Sequence, residues 1–356
     1  MSEIFMPIAY HEPTMVPSHP SPTLAMQASV MFLAAGRSTR LGALGLTLPK
    51  PLVPICGHPA IAFGLRAAAR AGATRAVVNV FHRGDLVRAT LGERAGGLAV
   101  DYSVEADLLG TGGGIAHART LLGPGPTLVM NAKVVADLDL PALLAEHAAH
   151  DATATMLLRD DPDPQRWGAI GVDATGRVVS ILDARSPRPP EGAVTLRMFT
   201  GVQLLAPALM DRLQPIFCDL IRDAYVPALR DGETIRAATL GGYFAEHSTP
   251  ERYLAGNLAL LRDPGLLRDP PGPLAGVDPG ARVAAGARIV GPVRIAAGAE
   301  VEAGAEVGPD AVVDAGARVA AGARVRRAVV WSGSTATGDV SDAVVTTSGV
   351  VAVEGP

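Results

Sequence analysis

Near the start of the chain stand two segments, Phe32-Leu33-Ala34-Ala35-Gly36-Arg37-Ser38-Thr39-Arg40-Leu41 and Leu48-Pro49-Lys50-Pro51-Leu52. The apolar run from Val30 to Leu33 predicts a buried strand, and small residues, two arginines and a proline-flanked lysine follow it. In this order, backbone N–H groups of the turn can face an anion while the cations close over it. The combination predicts a site for a nucleoside triphosphate, because the turn, the arginines and the lysine stand at fixed distances.

Length and composition exclude several classes of protein. The chain has 356 residues, enough for two domains with cores of their own. Its 31 Lys and Arg residues nearly balance 35 Asp and Glu residues, so no basic field points to a nucleic acid partner. The two cysteines, Cys56 and Cys218, provide neither a disulfide framework nor a Cys-rich metal site.

No stretch of the sequence predicts attachment to a membrane. A run of about twenty apolar residues, which a membrane-spanning helix needs, is missing. Residues 1–27 lack a basic region followed by a continuous apolar one, so we interpret them as a flexible arm rather than a signal peptide. We therefore expect a cytoplasmic protein with no membrane partner.

From Val30 to about Arg262, short apolar runs alternate with helical stretches. The predicted strands are Ala76–Val80, Leu98–Tyr102 and Thr127–Met130, and the predicted helices are Ala60–Ala71 and Leu140–His150. Such alternation predicts an α/β domain over residues 28–262, with a Rossmann-like, mostly parallel sheet and helices on both faces. Ligands of these sheets bind beyond the carboxyl ends of the strands, so we expect the loops after Leu33 and Met130 to carry the chemistry.

After a Pro/Gly-rich linker at residues 263–276, the sequence becomes periodic. Branched apolar residues recur every six positions, at Val277, Val283, Ile289, Ile295, Val301, Val307, Val313, Val319 and Val325. A small residue stands four places after most of them, and this pattern predicts a left-handed parallel β-helix over residues 277–342, followed by a tail at 343–356. Continuing the period places Val329 in a small-residue position, and Trp331 and Thr337 in branched positions.

The segments Ala34–Leu41 and Pro49–Pro54 resemble the signature of sugar-1-phosphate nucleotidyltransferases. The most similar group is that of mannose-1-phosphate guanylyltransferases and muramate-1-phosphate uridylyltransferases. The resemblance covers roughly residues 28–262 and continues in Glu105–Gly113, Phe199–Val202 and Tyr243–Tyr253. A hexapeptide-repeat tail is also common in this family. The resemblance implies a reaction in which a nucleoside triphosphate and a sugar 1-phosphate give an NDP-sugar and pyrophosphate.

The resemblance also implies roles for individual residues. Those implied to bind the nucleotide are Leu33, Ala34, Ala35, Gly36, Arg37, Glu105, Gly110, Thr111, Gly112 and Asn131. Those implied to border the sugar are Gly168, Arg185 and Gly201. Arg40 would bind the phosphates of the leaving pyrophosphate, and Lys50 would stabilise negative charge on the α-phosphate. Lys133 is a third catalytic candidate.

The chain departs from the family at the metal site. Where the family has Asn-Gly-Asp with an Mg²⁺-binding aspartate, this chain has Asn131-Ala132-Lys133. The second family ligand, in Trp-x-Asp-x-Gly-Thr-Pro, corresponds to Glu246, and the ammonium of a lysine is a donor that cannot ligate a metal. The prediction of Mg²⁺ as a cofactor therefore depends on Glu246 alone, because Lys133 replaces the aspartate that is the other ligand in the family. We interpret Asp137 and Asp139 as N-capping residues rather than substitute ligands.

A Glu-Lys-Pro sugar-phosphate motif of the family is also missing, and Arg185 stands in that region. Two hypotheses about Lys133 stay open. In one, the lysine reaches the triphosphate and stands in for the metal, because it brings the same net charge as aspartate with Mg²⁺. In the other, Lys133 pairs with Glu246 and seals the site, and the protein is a regulatory subunit that binds nucleotide or NDP-sugar without turnover.

The β-helix suggests two further functions. An acyltransferase centred on it is disfavoured, because such enzymes usually need a histidine between coils and residues 274–356 contain none. We expect instead that the β-helix mediates assembly of a homo-oligomer, because its last coil must be covered or paired.

Overall fold

The computed structural model describes residues 28–354. The predicted flexible arm, residues 1–27, and the last two residues of the predicted tail lie outside the described residues. The chain divides into two compact units. We call residues 28–36 with 64–244 the α/β unit, and residues 37–63 with 245–354 the β-helix unit. The domain boundaries expected from the sequence stay a prediction.

Strands and helices alternate up to residue 262. The strands are β1 (Ser29–Leu33), β2 (Pro54–Ile55), β3 (His58–Pro59), β4 (Arg75–Val80), β5 (Arg94–Ala95), β6 (Leu98–Val104), β7 (Thr127–Asn131), β8 (Val134–Ala136), β9 (Ala154–Arg159), β10 (Ile170–Val172), β11 (Val178–Ile181), β12 (Ala184–Arg185), β13 (Thr195–Leu205), β14 (Ile235–Thr239) and β15 (Phe244–Glu246). The helices are α1 (Ala43–Thr47), α2 (Ala60–Arg70), α3 (Gly84–Leu91), α4 (Gly110–His117), α5 (Leu140–Ala149), α6 (Pro207–Met210), α7 (Val226–Arg230) and α8 (Pro250–Arg262). Every strand and helix predicted in this region is present. Among residues 28–354, no helix combines the length and the apolar character needed to cross a bilayer.

The centre of the α/β unit is a parallel sheet, as predicted. Strands β6, β4, β1 and β7 lie side by side in that order and run in the same direction. Beyond β7, strand β13 is antiparallel and carries the antiparallel strands β9 and β10. The sheet is therefore mixed, and its parallel part contains the strand ends expected to bind ligand.

Close packing holds α2 against β1. Phe32 of β1 is 1% exposed, and a Cβ atom added to Gly64 of α2 would lie only 2.6 Å from its Cε1 atom. The glycine therefore lets the helix backbone approach the ring, and any side chain at this position would push the helix away from the strand.

The periodic C-terminal sequence forms a parallel β-helix. Its strands are β16 (Gly276–Val277), β17 (Arg282–Val283), β18 (Arg288–Ile289), β19 (Val293–Ile295), β20 (Glu300–Val301), β21 (Glu306–Val307), β22 (Ala311–Val313), β23 (Arg318–Val319), β24 (Arg324–Val330), β25 (Thr335–Ala336), β26 (Asp339–Thr346) and β27 (Gly349–Ala352). Strands β16 to β26 stack in parallel on three faces, and Val283, Val301 and Val319 illustrate one stack at 18-residue steps. The branched and small side chains together form its core.

The predicted period fails after Val325. Val313 pairs with Val330, and Val319 with Ala336, so each step there is one residue shorter than the preceding 18. The assignments of Val329, Trp331 and Thr337 were therefore wrong by one position, and Ala328, Val330 and Ala336 fill the core instead. The corner that absorbs the change contains Arg327 at a φ of 46°, a left-handed conformation that the hexapeptide pattern does not encode.

The chain closes the last coil by folding back on itself. Within the predicted tail, β27 pairs with β26 in antiparallel register, with Val344 opposite Val351. The first coil differs, because the side chains of Val277 and Val283 are 45% and 38% exposed. The open end of the β-helix is thus its first coil rather than its last.

Helix α8 is tied to the β2–β3 hairpin and to the β-helix by one hydroxyl group. The hydroxyl of Tyr253, a fully buried residue of α8, donates to Pro54 O at 2.6 Å and accepts from Trp331 Nε1 at 2.7 Å. Asn257, one turn later, accepts from Cys56 N at 2.8 Å. The segment that follows Lys50 is therefore fixed to the last coil through α8.

A buried carboxylate lies beside the same hairpin. Asp314, directly after β22, is 3% exposed, and neither of its oxygens has a hydrogen-bond partner among residues 28–354. The nearby Arg294 favours the charged form, but burial dominates and raises the pKa of Asp314 to about 7. The native state therefore keeps a proton on Asp314 under conditions in which the unfolded chain releases it.

We predict that Asp314 makes the protein less stable as pH rises. Below the unfolded pKa of about 3.9, both states hold the proton; between that value and about 7, the native state binds more protons and stability falls. The substitution Asp314→Asn removes this loss, so its advantage over wild type should grow from near zero at pH 4 to at most about 4 kcal/mol at pH 8. Urea unfolding across this range measures it, with the exposed Asp339→Asn as control. Parallel stability curves for wild type and Asp314→Asn would contradict the assignment.

Candidate functional site

The carboxyl ends of three parallel strands meet at one edge of the α/β unit. Leu33, the last residue of β1, pairs with Asn79 of β4 on one side and with Asn131 of β7 on the other. The turn Ala34–Gly36 leaves this edge, and Gly36 is exposed with open space where a Cβ atom would be. The structure thus brings together the predicted nucleotide residues at 33–36 and 131.

A buried side-chain amide fixes the first amide of the turn. Asn79 Oδ1 accepts from Ala34 N at 2.7 Å, and its Nδ2 donates to Glu105 Oε1 at 2.7 Å. The other oxygen of Glu105 accepts from Leu109 N at 3.0 Å, just before α4. Asn79 and Glu105 are 2% and 4% exposed. The predicted nucleotide residue Glu105 therefore has both carboxylate oxygens engaged in holding the loop and the helix.

The first residues of α4 pack closely against the segment around Cys218. Gly112 N donates to Cys218 O at 3.0 Å, and Thr111 Oγ1 accepts from Leu220 N at 2.9 Å. A Cβ atom on Gly110, which has a φ of +73°, would lie 2.6 Å from Cys218 O. The segment 216–220 thus lies against the predicted base-binding residues 110–112 and uses two of their polar groups.

The predicted sugar residues fall into two groups. Gly201 has a φ of +79°, and a Cβ atom there would lie 2.1 Å from Asn131 Nδ2, so this glycine makes room for the asparagine at the sheet edge. Gly168 lies near the side chain of Leu182, and Arg185 Nη1 donates to the carbonyl oxygens of Leu182 and Ala184 at 3.1 and 2.9 Å. The guanidinium of Arg185 therefore helps to hold its own turn.

In the β-helix unit, a buried hydroxyl links the arginine turn to the lysine turn. Ser38, 2% exposed and at a φ of 59°, accepts from Lys50 N at 3.0 Å through its Oγ atom. The carbonyl of Ser38 also accepts from Leu41 N at 3.0 Å. The backbones that carry Arg40 and Lys50 are therefore held in one arrangement, while the side chains of Arg37 and Arg40 stay exposed.

The carboxylate of Glu246, in the same unit, lies between two guanidinium groups. Its Oε2 atom accepts from Arg252 Nη1 at 3.1 Å, and its Oε1 atom lies 3.8 Å from Arg40 Nη2. The side chain of Glu246 is 10% exposed. Both oxygens thus face positive charge.

These residues do not fit the two-carboxylate Mg²⁺ site of the family. A lysine stands at the first ligand position, in the connection between β7 and β8, and the second carboxylate is paired with arginines. Within residues 28–354, no group of three or more His, Cys, Asp or Glu side chains could hold a metal ion. Asp139 caps α5 as predicted, because its side chain accepts from Ala142 N at 3.1 Å.

Sequence reasoning missed three features of this region. Asn79 and the segment 216–220 belong to none of the motifs, and Ser38 stands in the motif Ala34–Leu41 without a predicted role. Asn79 stands at the end of a predicted strand, and a polar residue at that place was the available signal. The contacts of Ser38 and Cys218 depend on chain segments distant in sequence or on a left-handed backbone, which pattern analysis does not reveal.

We predict that Asn79→Ala loosens the turn after β1. The substitution leaves Ala34 N and one oxygen of Glu105 buried without their partner, which should cost about 2–4 kcal/mol of unfolding free energy. Nucleotide affinity should also fall about tenfold, equivalent to about 1.4 kcal/mol. The control is Gln203→Ala, which removes another buried amide of the unit, one that accepts from Tyr225. Equal nucleotide affinity in both variants would contradict a special role for Asn79.

Comparison with known proteins agrees with this fold. Residues 29–183 match the family model described as nucleotidyl transferase. The fold is similar to that of HddC from Yersinia pseudotuberculosis, free and complexed with GMP-PN, with TM-scores of 0.54 and 0.53. Each alignment covers 65% of this chain and 99% of the HddC chain at 22% identity, which shows the likeness of fold alone.

Two relatives with assigned enzyme names come from a fungus and a bacterium. Mannose-1-phosphate guanyltransferase of Schizosaccharomyces pombe is 30% identical over 235 residues, which cover 65% of this chain and 64% of that protein. Mannose-1-phosphate guanylyltransferase of Mycobacterium tuberculosis is 30% identical over 239 residues, which cover 66% of this chain and 65% of that protein. The matched part thus spans just under two thirds of each relative's length. Residues 29–183 of this chain are thus similar to a nucleotidyl transferase domain, and the relatives that match it over a longer stretch are named mannose-1-phosphate guanyl(yl)transferases.

Proposed function

We propose that this protein transfers a nucleoside monophosphate from a nucleoside triphosphate to a sugar 1-phosphate, giving an NDP-sugar and pyrophosphate. The observation that carries the proposal is the turn Ala34–Gly36, which leaves the parallel sheet edge with its first amide fixed by Asn79. Because two named relatives act on mannose 1-phosphate, GTP with mannose 1-phosphate is the first pair to test.

The proposed chemistry is an in-line displacement at the α-phosphorus. An oxygen of the sugar phosphate forms the new P–O bond, and the bond to pyrophosphate breaks. Positioning and charge stabilisation supply most of the catalysis in such a reaction. In this proposal, Lys50 stabilises the α-phosphate, Arg40 binds the leaving pyrophosphate, and Asn131 with Gly201 borders the ribose and the sugar.

The composition of the chain supports roles for both candidate lysines. Lys50 and Lys133 are its only lysines, although the chain has 31 basic residues. An ammonium is a compact charge that contacts a phosphate differently from a planar guanidinium. Lys50 stands in a motif of this family, and Lys133 stands where the family has its metal-binding aspartate, so these positions favour a specific function for each lysine. We assign Lys133 to the nucleotide phosphates, in place of the charge that the family's metal provides.

The second candidate function is a regulatory subunit that binds nucleotide or NDP-sugar without turnover. The contacts of Glu246 with Arg40 and Arg252 favour it, because they occupy a carboxylate that active members of the family use for metal. The two functions differ in one observable, the release of pyrophosphate by a protein that binds nucleotide.

We predict that purified protein releases pyrophosphate with at least one pair of nucleoside triphosphate and sugar 1-phosphate. Assays with each triphosphate, with and without Mg²⁺, measure it. In Lys50→Ala, kcat should fall about 10²- to 10³-fold with a smaller change in KM, because the lost charge acts mainly on the transition state. Nucleotide binding without release for any pair would exclude the transferase and support the regulatory subunit.

We also propose that the β-helix assembles the protein into a homo-oligomer, in the cytoplasm. Support comes from the open first coil, where Val277 and Val283 are exposed. Light scattering should find two or more copies, and Val283→Glu should dissociate them. Val350→Glu, at an exposed valine of β27, is the control and should have no effect. A wild-type protein that is monomeric at micromolar concentration would contradict the proposal.

A further inference from the structure

Arg40, Glu246 and Arg252 form a charge cluster within the β-helix unit. Two guanidinium groups flank one carboxylate, so the cluster carries an excess of positive charge. Glu246 is the most buried of the three, with 10% of its side chain exposed, against 28% for Arg252 and 59% for Arg40. A carboxylate this buried needs compensating charge, and the arginines provide it.

The two ion pairs differ in strength. Arg252 makes a hydrogen bond of 3.1 Å to Glu246 Oε2, and its backbone N–H donates to the capping residue Thr249 in the first turn of α8. Arg40 lies 3.8 Å from Oε1, beyond ordinary hydrogen-bond length, and is mostly exposed. Exposed pairs of this kind contribute little and are screened by salt. Arg252 therefore anchors Glu246, whereas Arg40 is held loosely.

From this difference we propose that Glu246 is a positioning residue that holds Arg40 as its counter-ion until a polyphosphate displaces it. The inference rests on the proposed function, in which Arg40 binds the leaving pyrophosphate. When Arg40 moves to the ligand, Arg252 remains to neutralise the buried carboxylate, so the exchange leaves no unpaired charge. Glu246 thus competes with the ligand for Arg40.

A metal-ligand role for Glu246 predicts the opposite sign. If Glu246 ligated Mg²⁺, its removal would weaken polyphosphate binding in the presence of the metal. If it competes for Arg40, its removal strengthens binding, and no metal is required. The sign of the change separates the two roles.

The test is calorimetric binding of inorganic pyrophosphate to the full chain in EDTA. Glu246→Gln should bind about three- to fivefold more tightly than wild type, as expected for loss of one partly exposed ion pair. The control Glu251→Gln removes an exposed charge from the first turn of α8, the turn that carries Arg252, and should change affinity less than about twofold. In an Arg40→Ala background, Glu246→Gln should give no gain, because the residue for which it competes is gone.

Each other outcome overturns the inference. Weaker binding by Glu246→Gln with Mg²⁺ present would identify a metal ligand. An equal gain in Glu251→Gln would indicate a general effect of charge. Should Glu246→Gln fail to fold, Glu246→Asp keeps the charge but shortens the reach to Arg40, and an unchanged affinity there would contradict the inference. If wild type binds neither pyrophosphate nor any nucleoside triphosphate, the proposed function fails and the inference fails with it.

Discussion

The carboxamide of Asn79 sets the geometry of the candidate nucleotide site. It reaches Ala34 N with its oxygen and Glu105 with its nitrogen, and the second oxygen of Glu105 reaches Leu109 N before α4. These contacts are buried, where a lost partner costs more than at the surface. Gly114 contributes by its lack of a side chain, since a Cβ atom there would lie 2.6 Å from Asn79 Nδ2. The turn after β1, the end of β6 and the start of α4 therefore form one hydrogen-bonded arrangement.

In the β-helix unit, the hydroxyl of Tyr253 also joins separate segments of the chain by hydrogen bonds. It joins Pro54, which follows the Pro-Lys-Pro segment, to Trp331 in the last full coil. The β-helix therefore helps to fix the backbone downstream of Lys50. Ser38 adds a second restraint by accepting from Lys50 N. With the backbone restrained in this way, only the side chain of Lys50 would still lose conformational freedom on binding phosphate.

Much of the fold could be predicted because it follows from periodicity. The alternation of strands and helices gave the parallel centre of the sheet, and the six-residue period gave the β-helix up to Val325. The pattern could not predict that the coil becomes one residue shorter at Arg327. A corner can lose one residue when a residue there adopts a left-handed backbone conformation, and the sequence pattern does not show this. The antiparallel half of the sheet was also missed, since strand direction depends on pairing between distant segments.

The candidate site was predictable in position but not in its internal contacts. The structure places residues 33–36, 105–112 and 131, which the motifs indicated, at or beside one sheet edge. The motifs did not indicate that Glu105 holds the loop, that Cys218 lies against Gly110, or that Glu246 is paired with Arg252. Each of these contacts joins residues whose roles depend on burial and charge in the folded chain. A motif records which residue stands at a position, whereas the partner of that residue is decided by packing.

The central proposal is that this protein binds a nucleoside triphosphate and that binding protects Lys50 and Lys133 from modification. Because these are the only two lysines, reductive methylation followed by mass spectrometry reports on them individually. A saturating nucleoside triphosphate should slow methylation of both lysines, while an equal concentration of the nucleoside alone should leave their rates unchanged. Unchanged methylation of both lysines in the presence of every nucleoside triphosphate would contradict the account.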